Sequence, residues 1–267
     1  MVGAAPMSDP DFRDLLHKVE RKLEEADRKG REIFAEVARV YPFLGPFKDD
    51  AEALLAKIKK LWDGFWTEMV QLVTSPGVPW TLWAHGNDWS GPPIGGTVSK
   101  QAGRATANAL GIDNYWHGQA ADAYKDTLGP QKEALTWIKT VSDEIDDILT
   151  KVAVAIITLW VTVLGLIVTL VIELTAEAVA AGTLVGAVPA AIASLASWTK
   201  VIAGVSLAIG VLWAFLGGTA LASFKDLRQR LYDSVPFPEG RWPKATSEYT
   251  SDGSITDGDT TAWRLTT

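Results

Sequence analysis

The sequence predicts an all-α protein of helical hairpins or a bundle, ending in an apolar helical hairpin of transmembrane type. Two charged N-terminal segments repeat apolar residues at three-and-four spacing, and two later runs carry no charge at all. The overall 48% hydrophobic and 21% charged residues therefore conceal a sharp division along the chain.

Ser8-Asp9-Pro10-Asp11 reads as a helix start: a capping side chain, a proline in the first turn and a carboxylate that suits the positive helix end. Phe12, Leu15, Leu16, Val19, Leu23, Ala26, Ile33, Phe34, Val37 and Val40 then share one face, so one amphipathic helix is expected to about Val40. Tyr41-Pro42-Phe43-Leu44-Gly45-Pro46 breaks it. The period resumes with Phe47, Ala51, Leu54, Leu55, Ile58, Leu61, Trp62, Phe65, Met69 and Val70 to about Thr74, and the two helices are expected to pair as an antiparallel hairpin.

Residues 75–97 gather Pro76, Gly77, Trp80, Trp83, Trp89, Gly91, Pro92 and Pro93, which predicts an irregular loop held by buried indoles. A short helix is expected over 99–110, ended by Gly111. After Trp116-His117-Gly118 a further helix begins at Gln119, with Gly129-Pro130 expected to kink or interrupt it before Leu135, Ile138, Val141, Ile145 and Ile148.

Residues 152–172 and 201–224, runs of 21 and 24, are each long enough to cross a hydrocarbon core of about 30 Å. Between 152 and 224 only Glu173, Glu177 and Lys200 ionise, which fits a hairpin with the glutamates near its turn or three shorter segments. Trp160 and Trp213 fall mid-run and cannot be interfacial belt residues, so they are expected to pack on other helices. Gly182, Gly186, Gly204 and Gly210 are assigned to close helix contact, because small residues let helices approach within lipid. Lys225, Arg228 and Arg230 follow the last run as membrane-flanking basic residues, favouring a cytoplasmic or anionic-lipid side.

The expected domains are 1–98, an amphipathic hairpin with its Trp/Gly/Pro-rich loop; 99–150, a helix–turn–helix; 151–224, membrane-active apolar helices; and 225–267, a polar, poorly ordered tail.

Several function classes are excluded. A net charge of −7 and a pI near 5.1, with no concentrated basic face, argue against nucleic acid. The absence of cysteine removes disulfides and thiolate chemistry. The first ten residues lack the basic start and apolar core of a signal peptide, so any export is expected without a cleaved signal. His17, His85 and His117 lie apart from any ligand or catalytic spacing, and Asp143-Glu144 with Asp146-Asp147 reads as a solvated helix face. No catalytic, cofactor-binding or metal-binding residue is expected, no cofactor, and no enzyme.

The motif with structural content is Trp116-His117-Gly118 followed by Gln119-Ala120-Ala121-Asp122-Ala123-Tyr124: a glycine turn, an indole to pack across it, and small residues for close approach. This stretch resembles the WxG superfamily of small helical hairpins exported by type VII secretion systems, over roughly residues 99–150. Other Trp-x-Gly triplets, Trp62-Asp63-Gly64 and Trp89-Ser90-Gly91, lack the helical context. The family's C-terminal signal, a tyrosine followed four residues later by an acid, is missing; Tyr249 to Asp252 is one residue short. The resemblance implies a secretion-associated substrate with Trp116 and Gly118 at its turn.

The expected function is thus a type VII secretion-associated protein with a membrane-inserting C-terminal region, as an oligomeric pore-forming toxin or a passive anchor. A resident membrane-anchored scaffold is the main alternative, and a soluble bundle with the apolar helices as its core is a third. Expected partners are membrane lipid and either further copies of the chain or a helical partner protein of the secretion system. Apolar stripes of the N-terminal helices would dock such partners.

Overall fold

A computed structural model describes residues 7–40, 43, 48–183, 186–232, 235–237 and 240–243. The expected break at 41–46, apart from Phe43, and the polar stretch 244–267 with Tyr249 and Asp252 lie outside the described residues. The protein is all-α: no strand forms among the described residues. It divides into two compact units, Met1–Trp80 with Val152–Thr219, and Thr81–Lys151 with Ala220–Thr267.

The first unit contains α1 (Asp9–Val40), α2 (Lys48–Thr74), the second half of α7 (Gln119–Ala181) and α8 (Ala187–Ala214). α1 starts where its cap dictates. Ser8 Oγ accepts the Asp11 N–H at 3.4 Å and donates to the Asp11 carboxylate, a reciprocal pair that satisfies a free helix-end donor. The outer face is laced by ion pairs one turn apart, including Arg13–Asp9 at 2.7 Å and Arg31–Asp27 at 2.8 Å. The Lys18 hydrogen bond holds the Asp14 carboxyl below its ordinary pKa.

The inner stripe of α1 is buried as its spacing requires, from Phe12 through Val19, Leu23, Ala26 and Ile33 to Val37. On α2, Ile58, Phe65 and Met69 are buried with Leu54, Leu55 and Trp62 packed beside them, whereas Val70 is exposed. The principal backbone approaches of both helices are to α8, while side chains of α1 and α2 meet in antiparallel order, Phe34 and Gly30 beside Ile58 and Trp62, and Leu23 beside Met69 and Val73. A helix with one apolar stripe buries it where most apolar area is offered, and α7 and α8 offer far more than another half-charged helix. The stripes reserved for an outside partner are therefore occupied within the chain.

The second unit contains most of α3 (Pro79–Ser90), a π-helical turn (Pro92–Gly96), α4 (Thr97–Arg104), α5 (Ala107–Leu110), α6 (Ile112–Tyr115), the first half of α7 and α9 (Leu221–Arg230). The irregular loop expected over 75–97 is thus mostly helical. Pro79 and Pro92 stand at helix starts, where a missing N–H costs nothing, and Gly91 is required because a Cβ there would lie 2.4 Å from the Asn87 carbonyl oxygen.

The single helix expected over 99–110 is two. Thr106 turns extended and caps α5 by accepting the Ala109 N–H at 3.2 Å, and Gly111 closes it with φ 64° as expected. Gly129-Pro130 does not interrupt α7, which runs for 63 residues. A proline ring clashes with the Cβ of the residue before it, and glycine has none. The stretch from 225 is helical to Arg230 and packed beyond: the Trp137 and Phe237 rings lie 5.4 Å apart, and Gln131 Nε2 donates to the Pro243 carbonyl at 2.9 Å.

Candidate functional site

The site that the sequence singles out is the apolar hairpin of the first unit. α7 and α8 run antiparallel about a turn at Gly182 and Gly186, with Leu166 opposite Gly204, Glu173 opposite Lys200 and Glu177 opposite Ser197. Two helices separated by one turn replace the three-segment alternative.

One face of this hairpin is built into the unit. Leu159, Trp160, Val163, Ile167, Leu170, Val171 and Leu174 on α7 join Trp198, Val201 and Val205 on α8 in the core that α1 and α2 complete. Trp160 Nε1 donates to the Pro76 carbonyl at 2.9 Å, pinning α7 to the turn after α2. Trp198 meets Trp62 edge-on at 4.5 Å and Phe65 at 6.0 Å, favoured ring geometries that anchor α8 on α2. Trp213 does not follow them, being 68% exposed.

The opposite face is also apolar but bare. Val154, Val161, Ile172 and Val179 are exposed at spacings of 7, 11 and 7, which keep one helical line, and Ile192, Leu207 and Val211 continue the surface on α8. The two helical stretches 120–181 and 189–230 are long and apolar enough to cross a membrane, and their most apolar windows bury only 33% and 11% of their residues. A core helix of a soluble bundle would be mostly buried. Between Lys151 and Glu173 the uncharged rise is about 33 Å at 1.5 Å per residue, against a hydrocarbon core of about 30 Å.

The three ionisable groups of the segment are used across the hairpin. Lys200 Nζ lies 2.6 Å from Glu173 Oε1, and the Ser197 hydroxyl donates to Glu177 Oε1 at 2.8 Å. The Oε2 atoms of both glutamates are buried without a hydrogen-bond partner, so the two carboxylates rely on Lys200 and Ser197 across the hairpin. Sequence reading missed these pairings, although 173 with 200 and 177 with 197 are both centred next to Gly186, which carries the signal. Because Lys200 is exposed, Lys200→Met should lower stability in water by less than about 1 kcal/mol. It should weaken vesicle binding by stranding Glu173, and Lys200→Met with Glu173→Leu should restore that binding; a double variant as weak as the single one contradicts this.

The glycines divide by use. A Cβ at Gly204 would stand 3.0 Å from Leu166 Cδ1, so this glycine sets the approach of the two helices. Gly182 and Gly186 belong to the turn, where a Cβ at Gly186 would lie 2.2 Å from the Ala180 carbonyl oxygen, and Gly210 faces open space.

In the second unit Gly118 has φ 108°, and the Trp116 ring lies 5.6 Å from Tyr124 over a small cluster of Ile112, Ala121 and Leu128. The arm before the turn is broken into α4, α5 and α6. Gly118→Ala strains a backbone that L residues rarely adopt, and should cost about 1–3 kcal/mol. Thermal unfolding followed by circular dichroism checks this, and an unchanged midpoint would count against the turn.

Lys225, Arg228 and Arg230 are exposed on α9, where Arg230 pairs with Glu144 at 2.7 Å. Asp143 pairs with Lys139, Asp147 pairs with Lys151 and Asp146 accepts from Thr150. The three histidines are exposed on separate elements. Compared with family models, with curated proteins and with solved structures, the chain matches none.

Proposed function

We propose that this chain is a membrane-inserting protein whose α7–α8 hairpin enters lipid from a form in which α1 and α2 cover one of its faces. The observation that carries this reading is the bare apolar surface of the hairpin, whose most apolar windows are only 33% and 11% buried. A soluble function would leave that area in water at a cost of about 25 cal/mol per Å². Burial of the α1 and α2 stripes on the other face favours a water-stable form that inserts, over a resident scaffold whose N-terminal helices recruit partners. Association with type VII secretion rests on the Trp116–Gly118 turn alone, and a pore rests on hairpins meeting in the membrane.

The test is a liposome assay on the full chain, scoring binding and dye leakage separately. A pore gives both for the parent. Gly210→Leu, at the assigned glycine that faces open space, should keep binding and abolish leakage. Binding without leakage in the parent identifies an anchor, and no binding removes the membrane reading.

A further inference from the structure

On the bare side of the hairpin, α7 and α8 diverge from their close approach at Gly204 and leave an apolar groove of about 420 Å³ lined by Ala155, Thr158, Leu207, Ala208, Val211 and Phe215. We propose that this groove holds one acyl chain of a bilayer lipid, an inference that rests on the membrane-inserting reading above.

The chemistry of the lining selects hydrocarbon. No charged side chain borders the groove, and the Thr158 hydroxyl already donates to the Val154 carbonyl at 2.8 Å, so the Thr162 hydroxyl alone would meet the row of backbone donors and acceptors that an extended peptide brings. The stretch beyond 243 is rich in Ser, Thr, Asp and Gly and has no apolar run to lay along it. A helix of a second copy would lie over the mouth of the groove at about 8–10 Å from its neighbours and leave the narrow floor beside Gly204 and Leu166 unfilled. Charge places the groove at hydrocarbon depth: Ala155 lies four residues inside Lys151, and the uncharged span continues to Glu173. Leu207 and Val211, both exposed, make the groove continuous with the bare surface.

The test uses the full chain on phosphatidylcholine–phosphatidylglycerol vesicles containing a small fraction of phosphatidylcholine spin-labelled on its acyl chain. Electron paramagnetic resonance then measures the motionally restricted lipid per protein. Ala155→Phe with Ala208→Phe fills the groove and should remove about one restricted lipid per chain while vesicle binding changes less than twofold. Should that variant not fold, Ala208→Leu alone should give a partial loss. An unchanged restricted fraction with binding intact overturns the acyl-chain site and leaves the membrane reading standing, whereas failure of the parent to bind overturns both. Efficient disulfide cross-linking of Leu207→Cys between copies in the vesicle would also overturn the site, because a second chain would then occupy it.

Discussion

Trp160→Ala is expected to cost the first unit about 4–5 kcal/mol. The side chain is fully buried among α1, α2 and α8 core residues, and Trp→Ala deletions at such sites cost about 3–5 kcal/mol through lost transfer energy and the cavity left behind. The indole also supplies the hydrogen bond to the half-buried Pro76 carbonyl, a net contribution of about 0.5–1.5 kcal/mol. Set against a usual total of about 5–15 kcal/mol, the loss removes much of the margin. Trp160→Phe keeps most of the ring and loses only the hydrogen bond, so it should cost about 1–2 kcal/mol. Urea unfolding followed by far-ultraviolet circular dichroism separates the two variants. A Trp160→Ala midpoint equal to that of the parent would mean that α7 is not held on the bundle as described.

The second large effect is selective for environment. Val161 and Leu207 stand mid-span on the bare face and are 52% and 69% exposed, so Val161→Asp with Leu207→Asp removes little packing. In water each change should stay within about 0.5 kcal/mol. At the centre of a bilayer each carboxylate costs about 2.5–3.5 kcal/mol, so the pair should weaken insertion by about 5–7 kcal/mol, roughly 10⁴-fold or more. Co-flotation with vesicles and urea unfolding in water measure the two sides. Equal losses in both media would indicate a purely structural surface, and retention of vesicle binding would contradict insertion through this hairpin.

Much of the architecture was legible because periodicity maps directly onto burial. The three-and-four spacing of α1 named Phe12, Val19, Leu23, Ile33 and Val37, and all are buried. The cap at Ser8 and the stop at Gly111 were equally plain, since each uses side-chain or backbone chemistry confined to a few residues. Punctuation by glycine and proline misled where context reverses its meaning. Proline breaks a helix interior but starts a helix well, so the stretch from Pro79 forms α3 and the π-helical turn, and Gly129 relieves the clash that Pro130 would otherwise impose.

Choice of partner was the least legible feature. Apolar stripes on α1 and α2 specify that something covers them, and only the relative positions of Trp62, Phe65 and Trp198 identify α8 as that partner. The assigned glycines show the same limit. Spacing of four marks Gly182 and Gly186 as a helix-contact motif and a turn alike, and a chain reversal there decided for the turn.

The most direct test of the membrane-entering hairpin exploits the absence of cysteine. Val161→Cys places a unique thiol in the middle of the bare face, at a site 52% exposed. Its rate of modification by a membrane-impermeant maleimide is measured in water and again after addition of vesicles. Rapid modification in water and loss of reactivity on the vesicles is the expected result; the same rapid rate in both would contradict it.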